Sequence, residues 1–169
     1  LIKNYNQYNK VVIESYAVSN KVEKGVILYS SNISSGISSM IPFHESHEEV
    51  GKIDTITLSK YIKEKKIKKV NFLKIDTEGY DLFVLQGFPW EAILPEIIIC
   101  EYENNKTVYL GYNYYDLANY LIDQGYQIII SEWYPIINYG SNHRWRCFHT
   151  DIEKVIDENS WGNIIGIKN

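Results

Sequence analysis

Only two cysteines, Cys100 and Cys147, occur in this chain of 169 residues. Neither belongs to a C-x-x-C pair, which argues against both a disulfide scaffold and a structural zinc site. Long apolar runs are missing as well: Pro95 to Cys100 and Ile128 to Ile130 are far too short to span a bilayer. No basic, apolar leader opens the chain, so a cytoplasmic location is expected. Positive charge is not in excess either. A formal net charge of -4 argues against a general binder of nucleic acid or of anionic membrane. Methionine appears once, as Met40, and the first residue is Leu1, which reads as a processed chain or a piece of a longer one.

What remains is enough for a single domain spanning residues 1–169. At 45% hydrophobic and 22% charged residues the chain can bury a core, unlike a disordered sequence. Fifteen tyrosines stand out, and the excess of lysine and asparagine fits nucleotide bias in the source genome. The only arginines, Arg144 and Arg146, flank Trp145.

Pattern alternates between strand and helix. Leu1 to Lys10 reads as a helix tail entering a loop, and the β-branched Val11 to Val18 as a strand closed by Ser19-Asn20. Val26 to Tyr29 is a short strand expected to pair with Ile53 to Ile56, across a serine-rich loop at residues 30–39. Thr57 or Thr55 caps a helix through Lys66, with Leu58, Tyr61 and Ile62 facing inward. The lysine run at residues 63–69 reads as a solvated helix face. Val70 to Asp76 is a strand, Tyr80 to Gln86 a helix, and Glu96 to Glu101 a strand apolar on both faces, as a central parallel strand must be. About twenty residues between those strands make a βαβ unit. Asn113 caps a further helix with Asp116 three residues on, an inward stripe of Leu117, Ala118, Leu121 and Ile122, and Gly125 at its end. Gln127 to Trp133 and Ile164 to Ile167 are the last strands. The expected architecture is the later half of an open, mostly parallel α/β sheet.

Ligands of such sheets bind outside the carboxyl ends of the strands. Asp76 and Glu78 end one strand, and Glu101 and Glu103 the next, about 4.8 Å away. Four carboxylates in one crevice raise the affinity of at least one for a proton or a cation, which suits a general base, a hydroxyl acceptor or a divalent metal site. The bland alternative, that Asp76 and Glu78 merely cap the following helix, stays open on spacing alone. Gly79 supports a tight strand-to-helix turn. His44 to Glu49 is not H-E-x-x-H and reads as a solvated polar loop. Residues 131–146 gather Trp133, His143, Arg144 and Trp145; aromatic faces beside planar hydrogen-bonding groups suit sugars, and arginine suits phosphate or carboxylate. A surface corner finishing the core is the alternative.

The block Leu73-Lys74-Ile75-Asp76-Thr77-Glu78-Gly79-Tyr80-Asp81, followed by Val84-Leu85-Gln86-Gly87, resembles the signature of the FkbM family of S-adenosylmethionine-dependent methyltransferases, in which K-I-D-x-E-G-x-E leads into a helix ending V-L-x-G. Thr57-Leu58 and Ala17-Val18-Ser19-Asn20 resemble further family elements. Glu101-Tyr102-Glu103, Lys106-Thr107 to Tyr112, Ser131-Glu132-Trp133, Tyr139-Gly140, His143 and Trp161-Gly162-Asn163 resemble a bacterial branch that accompanies glycosyltransferases in surface-polysaccharide gene sets. Asp81 departs from the usual glutamate, Ser59 from an aspartate and Tyr134 from a frequent histidine. The larger departure is that no two glycines lie two residues apart, so the G-x-G loop that holds the cofactor in class I methyltransferases is missing.

The resemblance therefore implies a Rossmann-like class I methyltransferase fold whose amino-terminal cofactor-binding strands are absent. It implies methyl transfer from S-adenosylmethionine to a hydroxyl of a sugar, glycan or glycosylated metabolite, by a domain inactive in this piece alone. Asp76 and Glu78, with Glu101 and His143, are the candidate catalytic groups. Ser19 and Asn20 are candidates for the cofactor's adenine edge, and Trp133, Arg144 and Trp145 for the carbohydrate acceptor; no metal is obligatory. Two rival readings are a metal-dependent glycosyltransferase using Asp76-Thr77-Glu78 as a D-x-D-like cation site, and a non-catalytic glycan-binding module. A middle strand left as a sheet edge is expected to promote self-association.

Overall fold

The β-branched run from Val11 to Val18 forms ladder only where it finds a neighbour. In the computed structural model, which describes residues 10–155 and 157–169, pairing is confined to β1 (Ala17–Val18), parallel to β4 (Thr55–Ile56). Val11 and Val12 stay exposed. The helix tail expected over residues 1–10 lies, apart from Lys10, outside the described residues.

The strand expected over Ile53 to Ile56 divides at Asp54. Ile53 closes β3 (His47–Ile53), antiparallel to β2 (Val26–Ser31), while Thr55 and Ile56 leave for β1. Two side chains make that bend: Asp54 accepts from Gly25 N (3.0 Å), and Thr55 Oγ1 accepts from Glu23 N and donates to Lys21 O, both at 2.8 Å. Thr55 is thereby committed, and Thr57 alone caps α1 (Leu58–Glu64), accepting from Lys60 N. The polar stretch around His44 is only half loop, since His47 opens β3 and donates through Nε2 to Ile37 O at 2.7 Å.

The βαβ unit is present as β5 (Phe72–Ile75), α2 (Asp81–Gln86) and β6 (Ile97–Glu103), with Phe72 opposite Ile97 and Ile75 opposite Cys100 in parallel register. The chain continues through α3 (Asn104–Thr107), α4 (Tyr114–Asp123), β7 (Tyr126–Trp133), β8 (Trp145–His149) and β9 (Trp161–Lys168). The five-stranded sheet has the order β5-β6-β9-β7-β8. Here the expectation of a mostly parallel sheet needs correction: β5–β6 is its one parallel pairing, and β9 runs antiparallel to both β6 and β7, as β8 does to β7. A parallel neighbour needs a helical crossover. The connection from β7 to β8 carries no helix, and that from β8 to β9, among the described residues, only a 3-10 turn at Ile152–Lys154.

Gly162 makes the inserted strand tolerable, because a Cβ at that position would overlap Ser131 O on β7. The core lies between α4 and one sheet face, where Leu117, Ala118 and Leu121 meet Ile98, Cys100, Ile130 and Ile164. Asn113 and Asp116 form the full capping box of α4. Ile122, expected in the stripe, is instead exposed. On the other sheet face Phe72, Ile97 and Ile167 follow one another in register and remain exposed. Among the described residues β5 has no second neighbour, and no helix is long and apolar enough to cross a membrane.

Candidate active site at the tips of β5 and β6

Beyond Ile75 the chain enters a turn with two consecutive left-handed residues, Glu78 (φ 52°) and Gly79 (φ 103°). Glycine takes that conformation freely; glutamate does not, and such an outlier persists only where its surroundings over-determine it. They do so here. Ser39 Oγ donates to Glu78 O at 2.9 Å, and Tyr112 Oη donates to Gly79 O at 2.7 Å. The buried Asp81 carboxylate accepts from Thr77 N, Thr77 Oγ1 and, across the strands, Glu101 N at 3.0 Å. Burial pushes the Asp81 carboxyl up to about 6 against those three hydrogen bonds. The capping alternative for Asp76 and Glu78 does not hold, because the N-cap of α2 is Tyr80, without a side-chain bond.

The acids do converge. Carboxylate oxygens of Asp76, Glu78 and Glu101 lie within 4.8 Å of one another. Sequence reasoning missed the partner that Glu78 and Glu101 share, Lys106. Its side chain is 3% exposed, and Nζ lies 2.5 Å from Glu78 Oε2, 2.8 Å from Glu103 Oε2 and 3.3 Å from Glu101 Oε2. Three acids converging on one buried ammonium is the arrangement; Asp76, half exposed, pairs instead with Lys74 at 3.0 Å. The available signal was the i, i+3 spacing of Glu103 and Lys106 next to an apolar strand. Phe43 and Tyr139 close over the ammonium with ring centroids 5.1 and 5.7 Å away, and Tyr139 Oη donates to Glu103 Oε1 at 2.8 Å.

Burial pushes the Glu101 carboxyl up to about 8, with the Lys106 charge opposing and the charges of Glu78 and Asp76 adding to the rise. Glu78 is raised for the same leading reason, and Lys106 is held protonated by its three acids. Both carboxyls are thus raised beside the Lys106 ammonium, which favours a proton held within the crevice. The ammonium also sits between Glu78 and Glu101, where a divalent ion shared by those carboxylates would have to lie.

One cavity adjoins the cluster at Glu103, and a second adjoins that cavity. The first, about 410 Å³, is walled by Phe43, His44, Glu45, Glu103 and Tyr139. The other, about 390 Å³, is walled by Tyr134, His143 and Arg144, and both share Ile137 and Asn138. His143 lies edge-on to Trp161 at 5.0 Å, Trp161 packs on Trp133 at 5.4 Å, and the ladder places Trp161 opposite both Glu103 and Trp133. Arg144 stacks on Tyr134. Trp145 lies farther out on β8, 44% exposed against Phe148. Ser19 and Asn20 are not brought to the acids. They pack at the opposite end of α2, where Asn20 donates to Gln86 Oε1 and Ser19 O presses on Gly87.

Compared with known families, residues 2–128 match the methyltransferase FkbM domain. The chain belongs to the FkbM methyltransferase family. None of the curated proteins and none of the solved structures matches it. Within the FkbM domain fall Asp76, Glu78, Glu101, Glu103 and Lys106; the aromatic row from Trp133 to Trp161 lies beyond the matched residues.

Proposed function

We propose that this FkbM domain methylates a hydroxyl of a sugar, glycan or glycosylated metabolite, with the residues described here forming the acceptor side of the site. One observation carries the reading: the Glu101 carboxyl is buried beside a fixed ammonium at the tips of two parallel strands. Methyl transfer to oxygen needs a group that takes the hydroxyl proton within hydrogen-bond reach. Glu101 takes that proton in this reading. Glu78 orients the hydroxyl, and Lys106 keeps the cluster's charge balanced as the proton moves. His143, Trp161 and Trp133 offer ring faces to the acceptor, which suits the apolar faces of a sugar ring.

Methyltransferases of this family generally draw the methyl group from S-adenosylmethionine. The residues present do not by themselves fit that cofactor. No G-x-G turn exists among the ten glycines. Ser19 and Asn20, the expected adenine contacts, are spent on packing against Gln86 and Gly87. The chain's contribution is therefore proton handling and acceptor positioning, and turnover by these 169 residues alone is not expected.

The test is calorimetric titration of S-adenosylmethionine and of candidate glycans into this chain and into a longer FkbM chain extended upstream. Cofactor binding by the extended chain and glycan binding by both supports the proposal. Absence of cofactor binding in both, with glycan binding retained, replaces it with a glycan-binding module. Nucleotide-sugar binding that requires manganese replaces it with a glycosyltransferase, a reading the Lys106 ammonium between Glu78 and Glu101 disfavours.

A further inference from the structure

A second buried cluster lies on the other face of the sheet, where β7 meets β8. The ladder pairs Ile130 with His149 and Glu132 with Cys147. Cys147 and His149 are two apart on one strand, so both side chains stand on the face that Glu132 shares. Glu132 Oε2 lies 2.6 Å from His149 Nε2 and 3.8 Å from Cys147 Sγ, and that sulfur lies 3.2 Å from the same imidazole nitrogen. Glu132 is fully buried and the His149 side chain nearly so. All three lie beyond residue 128, outside the FkbM match, and none is among the groups assigned above to methyl transfer.

Thiolate, imidazole and carboxylate are the three donor types of zinc sites, with metal–ligand lengths of about 2.0–2.3 Å. In tetrahedral geometry such lengths put ligand atoms roughly 3.2–3.8 Å apart. Two of the three separations already fall there, and the third needs to open by only about half an ångström or a little more. Arg146 donates to Glu132 Oε1 at 2.7 Å, which fixes the carboxylate and leaves Oε2 directed at the other two donors. Such an outer partner orients a metal-binding carboxylate. Charge balances too: a divalent ion with one thiolate and one carboxylate is neutral, and Arg146 reaches Asp157 at 3.8 Å.

A fourth position also has polar groups at hand. Tyr102 Oη and Ser160 Oγ are buried beside each other, and the phenol also feels the charges of both Glu132 and Cys147. In the proposed site these hydroxyls are the groups placed to hold a metal-bound water.

We propose that Glu132, Cys147 and His149 bind one divalent transition metal of the zinc class, which fastens the edge strand β8 to β7. Sulfur and imidazole donors favour that class over magnesium or calcium. The expectation drawn from the missing C-x-x-C pair concerned ligands adjacent in sequence. This donor set is C-x-H on one strand and a glutamate on the next, brought together by register alone. The ion would also steady residues 134–144, which connect the two strands and line the proposed acceptor cavities.

The test uses the 169-residue chain after chelator treatment, titrated with cobalt(II) and then with zinc. The expected result is one cobalt per chain with a thiolate-to-cobalt charge-transfer band, displaced by one equivalent of zinc, and a thermal midpoint that rises with zinc. Cys147→Ser loses the band and weakens zinc binding at least as much as loss of an outer partner does, roughly 10–100-fold. Arg146→Lys keeps the band with affinity reduced within that range. Cys100→Ala keeps both, which separates the two thiols. Circular dichroism establishes that each variant is folded. A folded wild-type chain showing neither band nor stoichiometric zinc overturns the proposal, as does undiminished binding in folded Cys147→Ser.

Discussion

Lys106 Nζ lies 2.8 Å from Glu103 Oε2, three residues back in the chain, and both side chains are almost wholly buried. The short α3 turns the lysine back under the tip of its own preceding strand, where Glu78 and Glu101 join the pair. Removing one partner from a buried ion cluster leaves uncompensated charge. Lys106→Met should therefore destabilise the chain by about 3–5 kcal/mol in urea unfolding. The double variant Lys106→Met/Glu78→Gln should recover part of that loss. A single-variant loss below about 1 kcal/mol, the range of exposed pairs, would show the cluster to be open to water.

Stability should fall as pH rises through the acid and neutral range. Asp81 and Glu101 bind protons more tightly folded than unfolded, with carboxyls at about 6 and about 8 against ordinary values of 3.8 and 4.5. Their contribution is full below about pH 4 and is lost as pH climbs through 6 and then 8. In Glu101→Gln the upper part of that slope, between about pH 5 and 8, should flatten. Thermal midpoints measured across pH 4–9 give both curves, and identical slopes would mean that Glu101 is not raised.

Activity should follow Glu101 more than Asp76. In a catalytically competent FkbM chain carrying these residues, Glu101→Gln is expected to lower kcat by about 10²–10⁴-fold, the range for loss of a general base. The wild-type rate should rise with pH through about 8, and the variant should lose that limb. Asp76→Asn, half exposed and paired with Lys74, should cost far less. Equal losses would move the base to the other strand tip.

The edge of β5, unpaired among the described residues, invites pairing with another chain. Phe72 on that strand is 55% exposed, so the protein should self-associate with rising concentration in sedimentation velocity. Phe72→Lys puts a charge on the edge and should shift the distribution toward monomer. A concentration-independent monomer in the wild type would show that edge to be covered.

Much of this was legible in the residues because it depends on neighbours in the chain. The capping box of Asn113 and Asp116, the parallel β5–α2–β6 unit and the gathering of Asp76, Glu78 and Glu101 follow from local periodicity and from strand direction. Ile122 was misplaced because Leu117, Ala118 and Leu121 already fill the core side of this short helix, and the edge of a stripe is decided by what packs above it.

The chain itself determined which segments form the β5–α2–β6 unit, which acids stand near its strand tips and that no G-x-G turn exists, since each follows from residue types a few positions apart. Only tertiary structure decided that β9 enters antiparallel between β6 and β7, that Lys106 meets the acids, and that Glu132 joins Cys147 and His149. Those outcomes depend on register between segments distant in sequence, and register is set by burial and close approach, as where Gly162 passes Ser131, which no local pattern records.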